Sequence, residues 1–498
     1  MSIEIELKLQ LSPKTAKKLA AHPLLAAIQP QTQRLLNTYY DTPQLDLHAR
    51  RIAVRFREKG WQWLLTVKSA EPACGGLAMR SEWETPATPG TFDFGHVDDE
   101  ALRDFLEGAT ERLEPIFSTD FRRQIWQVPF GESLIELALD RGVIESRGKR
   151  TAICEIELEL LSGQVEDIFG LTRQLQQHFK LEPAIASKAE RGYQLFTNEP
   201  LRPFKAKTAA INAGMTPVEA FRSIALGCLE HFQRNEKGLL TNDDPEFVHQ
   251  ARVALRRLRS AIKLFAPVLP QDFVTAYGQT WQTLSCALGD ARNWDVFLIE
   301  TLPPIQATFP HNRDVKRLRN EGRKRAKGCR QAIAGLLAVN EYPCLLIEFT
   351  SAIYTLSDTL SLPLEEFARE RVASHARAAR KLALRHAQLS PAERHGMRIK
   401  FKKLRYTLEF FAPLFPESST SAYLAALSRL QDELGQINDQ VTAETLIHTT
   451  LSAHPQGPIH GWIAGRQNLL LSTLPATLSV WLSQKSHWKR SGRKGGAD

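Results

Sequence analysis

Glu4, Glu6 and Lys8 stand at alternate positions near the start of the chain, and Glu155, Glu157 and Glu159 repeat that spacing much later. In an extended strand, residues two apart share a face, so each run would present its charges together. Arg55 with Arg57, Thr66 with Lys68, Arg80 with Glu82 and Glu84, and Glu136 with Asp140 obey the same rule. Clustered carboxylate oxygens bind hard divalent cations such as Mg²⁺ or Mn²⁺, and Lys and Arg bind phosphate oxygens. The chemistry open to such a face is the binding of metal ions together with a phosphorylated polyanion.

The positions between these charges are apolar: Ile5, Leu7, Ile156 and Leu158 would line a core on the other side of the same strands. The ionic face then lies either in bulk water, as in many antiparallel sheets, or inside a closed lumen. Clustered like charges on several strands would repel across an open sheet, whereas a lumen holding metal and polyanion neutralises both signs. Period-two patterns predict strands over Ile3–Leu9, Ile52–Arg57, Trp63–Lys68, Arg80–Thr85, Leu134–Asp140 and Ile153–Leu160. Turn residues punctuate them, which predicts a mainly antiparallel sheet or barrel. Helical patterns in this part are few, the clearest being Ser12–Ala20 and Val165–Phe179.

Past about Asn198 the period becomes 3.6, so the expected fold class is α+β: an N-terminal antiparallel β-barrel followed by an all-α bundle. The expected division is residues 1–200, a linker over 201–215, a helical domain over 216–485 and a basic, disordered tail over 486–498. Within the helical part, His249–Phe265 (HQARVALRRLRSAIKLF) matches His395–Phe411 (HGMRIKFKKLRYTLEFF), and the same offset of 146 superimposes Leu288-Gly289 on Leu434-Gly435. An internally duplicated bundle follows. His249, Arg252, Arg256, Arg259 and Lys263 fall on one helical stripe, and His395, Arg398, Lys402 and Arg405 fall at the same angles, with Glu409 in the last place. An apolar stripe runs beside each, so each helix packs one side and presents cations on the next. The stripes nearly lack acidic i,i+4 partners, which a solvated face would use, and the basic helices Arg313–Arg330 and Arg369–His386 add to the surplus.

Composition agrees with a two-domain globular chain: of 498 residues, 43% are hydrophobic and 24% charged. The net charge of +9 conceals an asymmetry, because residues 1–200 carry 24 Lys and Arg against 29 Asp and Glu, leaving +14 for the remainder. A basic half of this size implies a polyanionic partner. Six scattered cysteines without a CxxC pair, and no stretch with the pattern of a signal peptide, predict a reducing, cytoplasmic setting. The apolar run Leu336–Ile347 is broken by Asn340, Glu341 and Pro343, so no membrane span is expected.

The ordered set EIELK (Glu4–Lys8), RFR (Arg55–Arg57), TVK (Thr66–Lys68), CEIELEL from Cys154, and SKAERGY around Lys188 resembles the CYTH, or triphosphate tunnel metalloenzyme, family over about residues 1–200. That resemblance implies a barrel tunnel that hydrolyses a triphosphate chain with a divalent metal, Mg²⁺ or Mn²⁺. It further implies metal ligation by Glu4, Glu6, Asp140, Glu155, Glu157 and Glu159. Phosphate binding falls to Lys8, Arg55, Arg57, Lys68, Arg80, Arg123 (preferred over Arg122) and Lys188. Glu4, Glu6, Lys8, Glu157 and Lys188 are the catalytic group on this reading. The duplicated stripe, with Arg292-Asn293-Trp294-Asp295 and Asn438-Asp439 following, resembles the CHAD domain over roughly 210–485. It implies binding of inorganic polyphosphate, without catalysis, by His249, Arg252, Arg256, Arg259, Lys263, His395, Arg398, Lys402 and Arg405. Val441 replaces the second counterpart of Asp295.

The expected activity is therefore that of an inorganic triphosphatase, cleaving tripolyphosphate to diphosphate and phosphate. The alternatives are hydrolysis of thiamine triphosphate or an RNA 5′-triphosphate, adenylyl cyclisation on the same tunnel, or a polyphosphate-binding adaptor without turnover. Nucleic acid ranks below polyphosphate as a partner, because no RRM, KH, helix-turn-helix or zinc-finger pattern is found.

Overall fold

The computed structural model of the chain describes residues 2–69, 75–358, 362–451, 457–486 and 488. The chain divides into two compact units, Met1–Arg202 with Val339–Thr355, and Pro203–Ala338 with Leu356–Asp498. Cys74, and the tail expected over 486–498 apart from Ser486 and Trp488, lie outside the described residues.

The first unit contains β1 (Ser2–Gln10), β2 (Gln31–Asp41), β3 (Ile52–Lys59), β4 (Gln62–Ser69), β5 (Leu77–Pro86), β6 (Glu114–Phe130), β7 (Ser133–Ser146) and β8 (Lys149–Ser162). They pair antiparallel in the order β5-β4-β3-β2-β6-β7-β8-β1, and β1 also pairs with β5, so the ring closes. Closure removes the exposed sheet edge. β2 and β6 are absent from the sequence expectation. Their inward positions carry Asn37, Tyr39, Phe117, Thr119 and Phe121, which give little polar-apolar contrast against their neighbours.

The register decides which residues share the lumen. Lys8 stands opposite Glu157 and Glu6 opposite Glu159; Asp140 faces Glu155 and Glu136 faces Glu159. Arg123 opposes Asp140, Arg55 opposes Thr66, and Lys68 opposes Glu82. The alternate residues point outward and form the core. Leu7, Leu9, Leu137, Leu139, Ile156 and Leu158 are fully buried with Ile168, Phe169 and Leu171 of the helix Val165–Gln176 and with Leu19 of the helix Pro13–Leu19. On other strands Val54, Phe56, Leu65, Val67 and Trp83 pack with Phe94, Val97 and Leu106. The barrel is thus apolar outside and ionic inside.

The helix Glu341–Tyr354 belongs to this unit, although it lies within the stretch expected as the helical domain. Ile347 is fully buried in the same cluster as Leu7 and Ile156. Arg173 Nη1 donates to Ser351 Oγ at 3.3 Å, and the Tyr354 ring lies 6.3 Å from that of Phe169.

Among the described residues, eight long helices build the second unit: α1 (Pro217–Thr241), α2 (Pro245–Phe265), α3 (Gln271–Val296), α4 (Arg313–Ala338), α5 (Leu364–Ala383), α6 (Pro391–Phe411), α7 (Glu417–Leu451) and α8 (Pro458–Leu482). The offset of 146 carries the bounds of α2 onto those of α6 and the start of α3 onto that of α7. Local chemistry explains the agreement. Pro245 and Pro391 occupy the first turn after the caps Asp244 and Ser390, where a missing N–H costs nothing. Each α-helix gives way to a single 3-10 turn, Ala266–Val268 or Ala412–Leu414, because Pro267 and Pro413 have no N–H to continue the α-helical ladder. Among the described residues no single helix is long and apolar enough to cross a membrane.

Candidate functional site

Inside the barrel, opposite charges meet in two groups. In the first, the Lys188 ammonium, delivered by the first turn of the helix Lys188–Thr197, lies 2.7 Å from Asp140, 2.5 Å from Glu155 and 3.0 Å from Glu157. Arg123 grips Asp140 with two parallel bonds, Nε to Oδ1 at 2.8 Å and Nη2 to Oδ2 at 2.7 Å, and also pairs with Glu157. Lys8 reaches Glu157 at 3.1 Å and Glu6 at 3.3 Å. Arg191, one turn beyond Lys188, donates to Glu155 at 2.8 Å. Arg122 is exposed and paired across the strands with Arg34 and Arg141, whereas Arg123 shares the inward phase with Asp140.

In the second group Lys68 lies 3.1 Å from Glu4 and 2.5 Å from Glu82. Arg55 contacts Glu82 at 3.5 Å and donates to the Tyr39 hydroxyl at 3.2 Å. Arg57 donates to Asn37 Oδ1 at 2.9 Å and approaches Glu84 at 3.5 Å. Thr66 donates to Glu84, and Asn37 to Thr119. Arg80 stands opposite Glu4 in the backbone register, but its side chain is outside the described residues. Glu82, Glu84, Tyr39, Asn37 and Arg191 are further members of the lining beyond those assigned roles from sequence.

The electrostatics are uneven. Burial raises Glu4 to about 7, with Lys68 opposing and Glu6 and Glu82 adding to the rise. Burial and the neighbouring Glu136 push Glu159 to about 7 as well. Burial also works against the charge of Glu82, yet Lys68 and Arg55 outweigh it and hold that carboxyl at about 2. Glu157 is held well below the usual range, since Lys188, Lys8 and Arg123 overcome its burial. Arg57 falls to about 10 through burial and its neighbour Arg55.

These residues suit divalent metal. Carboxylate oxygens of Asp140, Glu155 and Glu157 all lie within 4.8 Å of one another, and the ammonium of Lys188 among them shows that this spot accepts a cation. Glu4, Glu6 and Glu159 form a second acidic region in which burial and like charge raise two carboxyls, a tension that a cation relieves. All six donors are hard oxygens, the set that Mg²⁺ and Mn²⁺ prefer.

The bundle brings cations of both repeats together. Arg256 of α2 lies over the Tyr406 ring of α6 at 5.4 Å, and Arg257 of α2 pairs with Glu409 of α6. Arg256 lies close enough to Arg252, Arg398 and Lys402 to help lower all three, after burial. Burial, then Arg256, Arg398 and Arg252, bring Lys402 down to about 6; burial and Arg256 lower Arg252 to about 10. His249 is lowered by burial and by Arg292. The guanidinium of Arg252 packs on Gly289, where a Cβ would come within 2.3 Å of Nη1. The remaining stripe residues are otherwise engaged: Arg259 donates to Gln282, Arg405 to Glu409 at 2.6 Å, and His395 shares a bond with Asn438. Lys263 is exposed at the end of α2. Asp295 is buried against Arg330 at 3.0 Å, while its counterpart Val441 is exposed, so that difference between the repeats concerns the packing of α3 on α4.

Residues 2–193 match the CYTH domain and residues 223–448 match the CHAD domain. The chain is 36% identical over 197 residues to an inorganic triphosphatase of Haemophilus influenzae, an alignment covering 39% of this chain and 54% of that protein. The chain thus spans about half the length of this curated relative. Among solved structures, the CHAD domain from Ricinus communis is 34% identical, covering 56% of this chain and 96% of that one with a TM-score of 0.49. A Hippeastrum protein named for adenylyl cyclase and described as having a dominant triphosphatase activity is 21% identical, covering 40% and 97%, with a TM-score of 0.32. With the closed ionic barrel over the first match and the duplicated helices over the second, the chain carries a CYTH domain followed by a CHAD domain.

Proposed function

We propose that the barrel hydrolyses inorganic tripolyphosphate to diphosphate and phosphate with Mg²⁺ or Mn²⁺, and that the bundle binds inorganic polyphosphate. The observation that carries the first part is the lumen lined by both charge sets at once. Buried ion pairs of this number are poor stabilisers, because desolvation offsets their attraction, so a lining of this kind is retained for a ligand. The activity named for the Haemophilus relative supports the choice of substrate.

Divalent ions held by Asp140, Glu155 and Glu157 and by Glu4, Glu6 and Glu159 would supply polarisation of the scissile phosphoryl group and acidification of the attacking water. The chain's own cations do the rest. Lys8, Arg55, Arg57, Lys68, Arg80, Arg123 and Lys188 exchange carboxylate partners for phosphate oxygens and hold the chain of phosphates in line. Tyr39 and Asn37 keep Arg55 and Arg57 aimed inward. Preorganised charge in a largely buried lumen accounts for most of the expected acceleration.

In the bundle, the convergent Arg252, Arg256, Arg398 and Lys402 support one shared anion site, flanked by His249 and His395 and extended by Arg259, Lys263 and Arg405. The cysteines Cys154, Cys228, Cys286, Cys329 and Cys344 are free thiols, which supports a reducing, cytoplasmic setting. The experiment is phosphate release from tripolyphosphate, ATP and thiamine triphosphate side by side, with Mg²⁺, with Mn²⁺ and with excess chelator. Fastest release from tripolyphosphate, abolished by chelator, supports the reading. Turnover that survives chelation, or a preference for ATP, overturns it.

A further inference from the structure

The duplication provides an internal control for surface charge. Helices α4 and α8 occupy equivalent places, each packed on the third helix of its own repeat. Yet α4 carries nine Lys and Arg side chains and α8 carries one, Arg466. Since α8 packs without that charge, the bundle does not require it of α4.

At about 100° per residue, Arg313, Lys316, Arg317, Arg323, Lys324 and Lys327 fall within an arc of about 120°. All six are exposed. The buried face, Val315, Leu318, Gly322, Ala326, Ile333 and Leu337, lies on the opposite side of the helix. Among the described residues none of the six forms an ion pair. The two other cations with carboxylate partners are flanking ones, Arg325 with Glu321 at 3.1 Å and Arg330 with Asp295 at 3.0 Å. Arg313 with Arg317, and Arg323 with Lys327, even repeat like charge at i,i+4, which weakens a helix that has nothing bound. The stripe runs for roughly 21 Å at 1.5 Å per residue. No aromatic side chain stands on α4, so it offers no platform on which bases could stack. What it offers is a row of mobile point charges, suited to a flexible chain of phosphates without bases.

We propose that the outward face of α4 is a second polyanion-binding surface, which takes the extended part of long inorganic polyphosphate chains. It rests on the preceding reading of the bundle for the identity of its ligand, but not for its existence as an anion surface. The test uses the full chain, with Lys316, Arg323 and Lys327 all replaced by Glu, and in a second variant by Gln. Each is titrated with polyphosphates of about ten and about one hundred phosphates, at salt from about 50 to 200 mM, with tripolyphosphate turnover measured in parallel. Expected in the Glu variant is a loss of at least about tenfold in long-chain affinity at low salt, and a plot of log affinity against log salt shallower by about two for three lost cations. The Gln variant should fall between, while short-chain binding and turnover stay within about twofold of wild type. Unchanged long-chain affinity in both variants, with short chains still bound, overturns this inference alone. Polyphosphate of no length bound by the wild type overturns the reading of the bundle as well. Duplex RNA bound more tightly than polyphosphate at matched charge, and lost in the Glu variant, reassigns the face to nucleic acid.

Discussion

Asp140, Glu155 and Glu157 converge on Lys188, and Lys68 bridges Glu4 and Glu82, so these charges already have partners that a phosphate or a metal must displace. Ligands and grips should therefore fail differently. Glu157→Gln removes a carboxylate shared by Lys8, Arg123 and Lys188, and kcat for tripolyphosphate is expected to fall by on the order of 100-fold. Arg57→Ala leaves other cations in place, and KM is expected to rise about tenfold with a smaller change in kcat. Steady-state kinetics at saturating metal checks both, and a Glu157→Gln enzyme with wild-type kcat would refute the assignment. Lys402 allows a second test. Its pKa of about 6 means that it is largely neutral at pH 7.5. A bound polyanion favours its charged form, so binding should take up a proton at pH 7.5 and lose that uptake below pH 6. Calorimetry in buffers of different ionisation enthalpy measures the uptake, which Lys402→Arg should reduce, His249 accounting for what remains. Charged members of the lumen were legible in sequence because alternation marks them. Asn37, Tyr39 and Thr119 were not, since a neutral polar residue between apolar ones is equally compatible with a core strand.

At the scale of elements, the six strands with ionic alternation were visible, and the closed ring makes sense of their shared phase. β2 and β6 escaped notice for the reason that hid Tyr39 and Asn37, namely weak contrast between their two faces. The duplication was legible, with the matched segments ending at Phe265 and Phe411 as the helices do, but the helices start four residues before them, at Pro245 and Pro391. The helix Glu341–Tyr354 was not. Its period is helical like that of its neighbours, and nothing in one sequence says that Ile347 packs with Leu7 and Ile156 and not with the bundle. This predicts a dependence of the barrel on a segment far from it in sequence. Ile347→Asp in the full chain, which places a charge in that core, is expected to cost about 3 kcal/mol or more, whereas Ile347→Val should cost about 1 kcal/mol. Differential scanning calorimetry can assign the loss: if the helix completes the barrel, the transition that shifts is the one tripolyphosphate analogues stabilise. A shift confined to a transition that responds only to long polyphosphate would place Ile347 in the wrong core.

Across the whole molecule, charge of opposite net sign is divided between the two parts of the chain, and the two sets differ in burial. Asp140, Glu155, Lys8, Lys188 and Arg55 are buried, whereas the α4 stripe and Lys263 are exposed. Salt screens exposed charges over about 10 Å at 0.1 M but reaches buried pairs far less. Ionic strength should therefore separate the two activities. Between about 50 and 200 mM salt, long-chain polyphosphate affinity should fall steeply, by roughly 10³-fold if six or more cations engage the chain. Over the same range, kcat for tripolyphosphate at saturating substrate should change by less than about threefold, because its contacts lie inside the barrel. Replacing Arg252, Arg256 and Arg398 together by Ala provides the complementary test. Long-chain binding should drop by at least about 100-fold while tripolyphosphate kcat/KM stays within about twofold, since the proposed chemistry lies in the other unit. A parallel loss of binding and turnover in that variant, or an equal salt slope for the two, would mean that the barrel and the bundle serve a single bound polyanion instead of two separate ones.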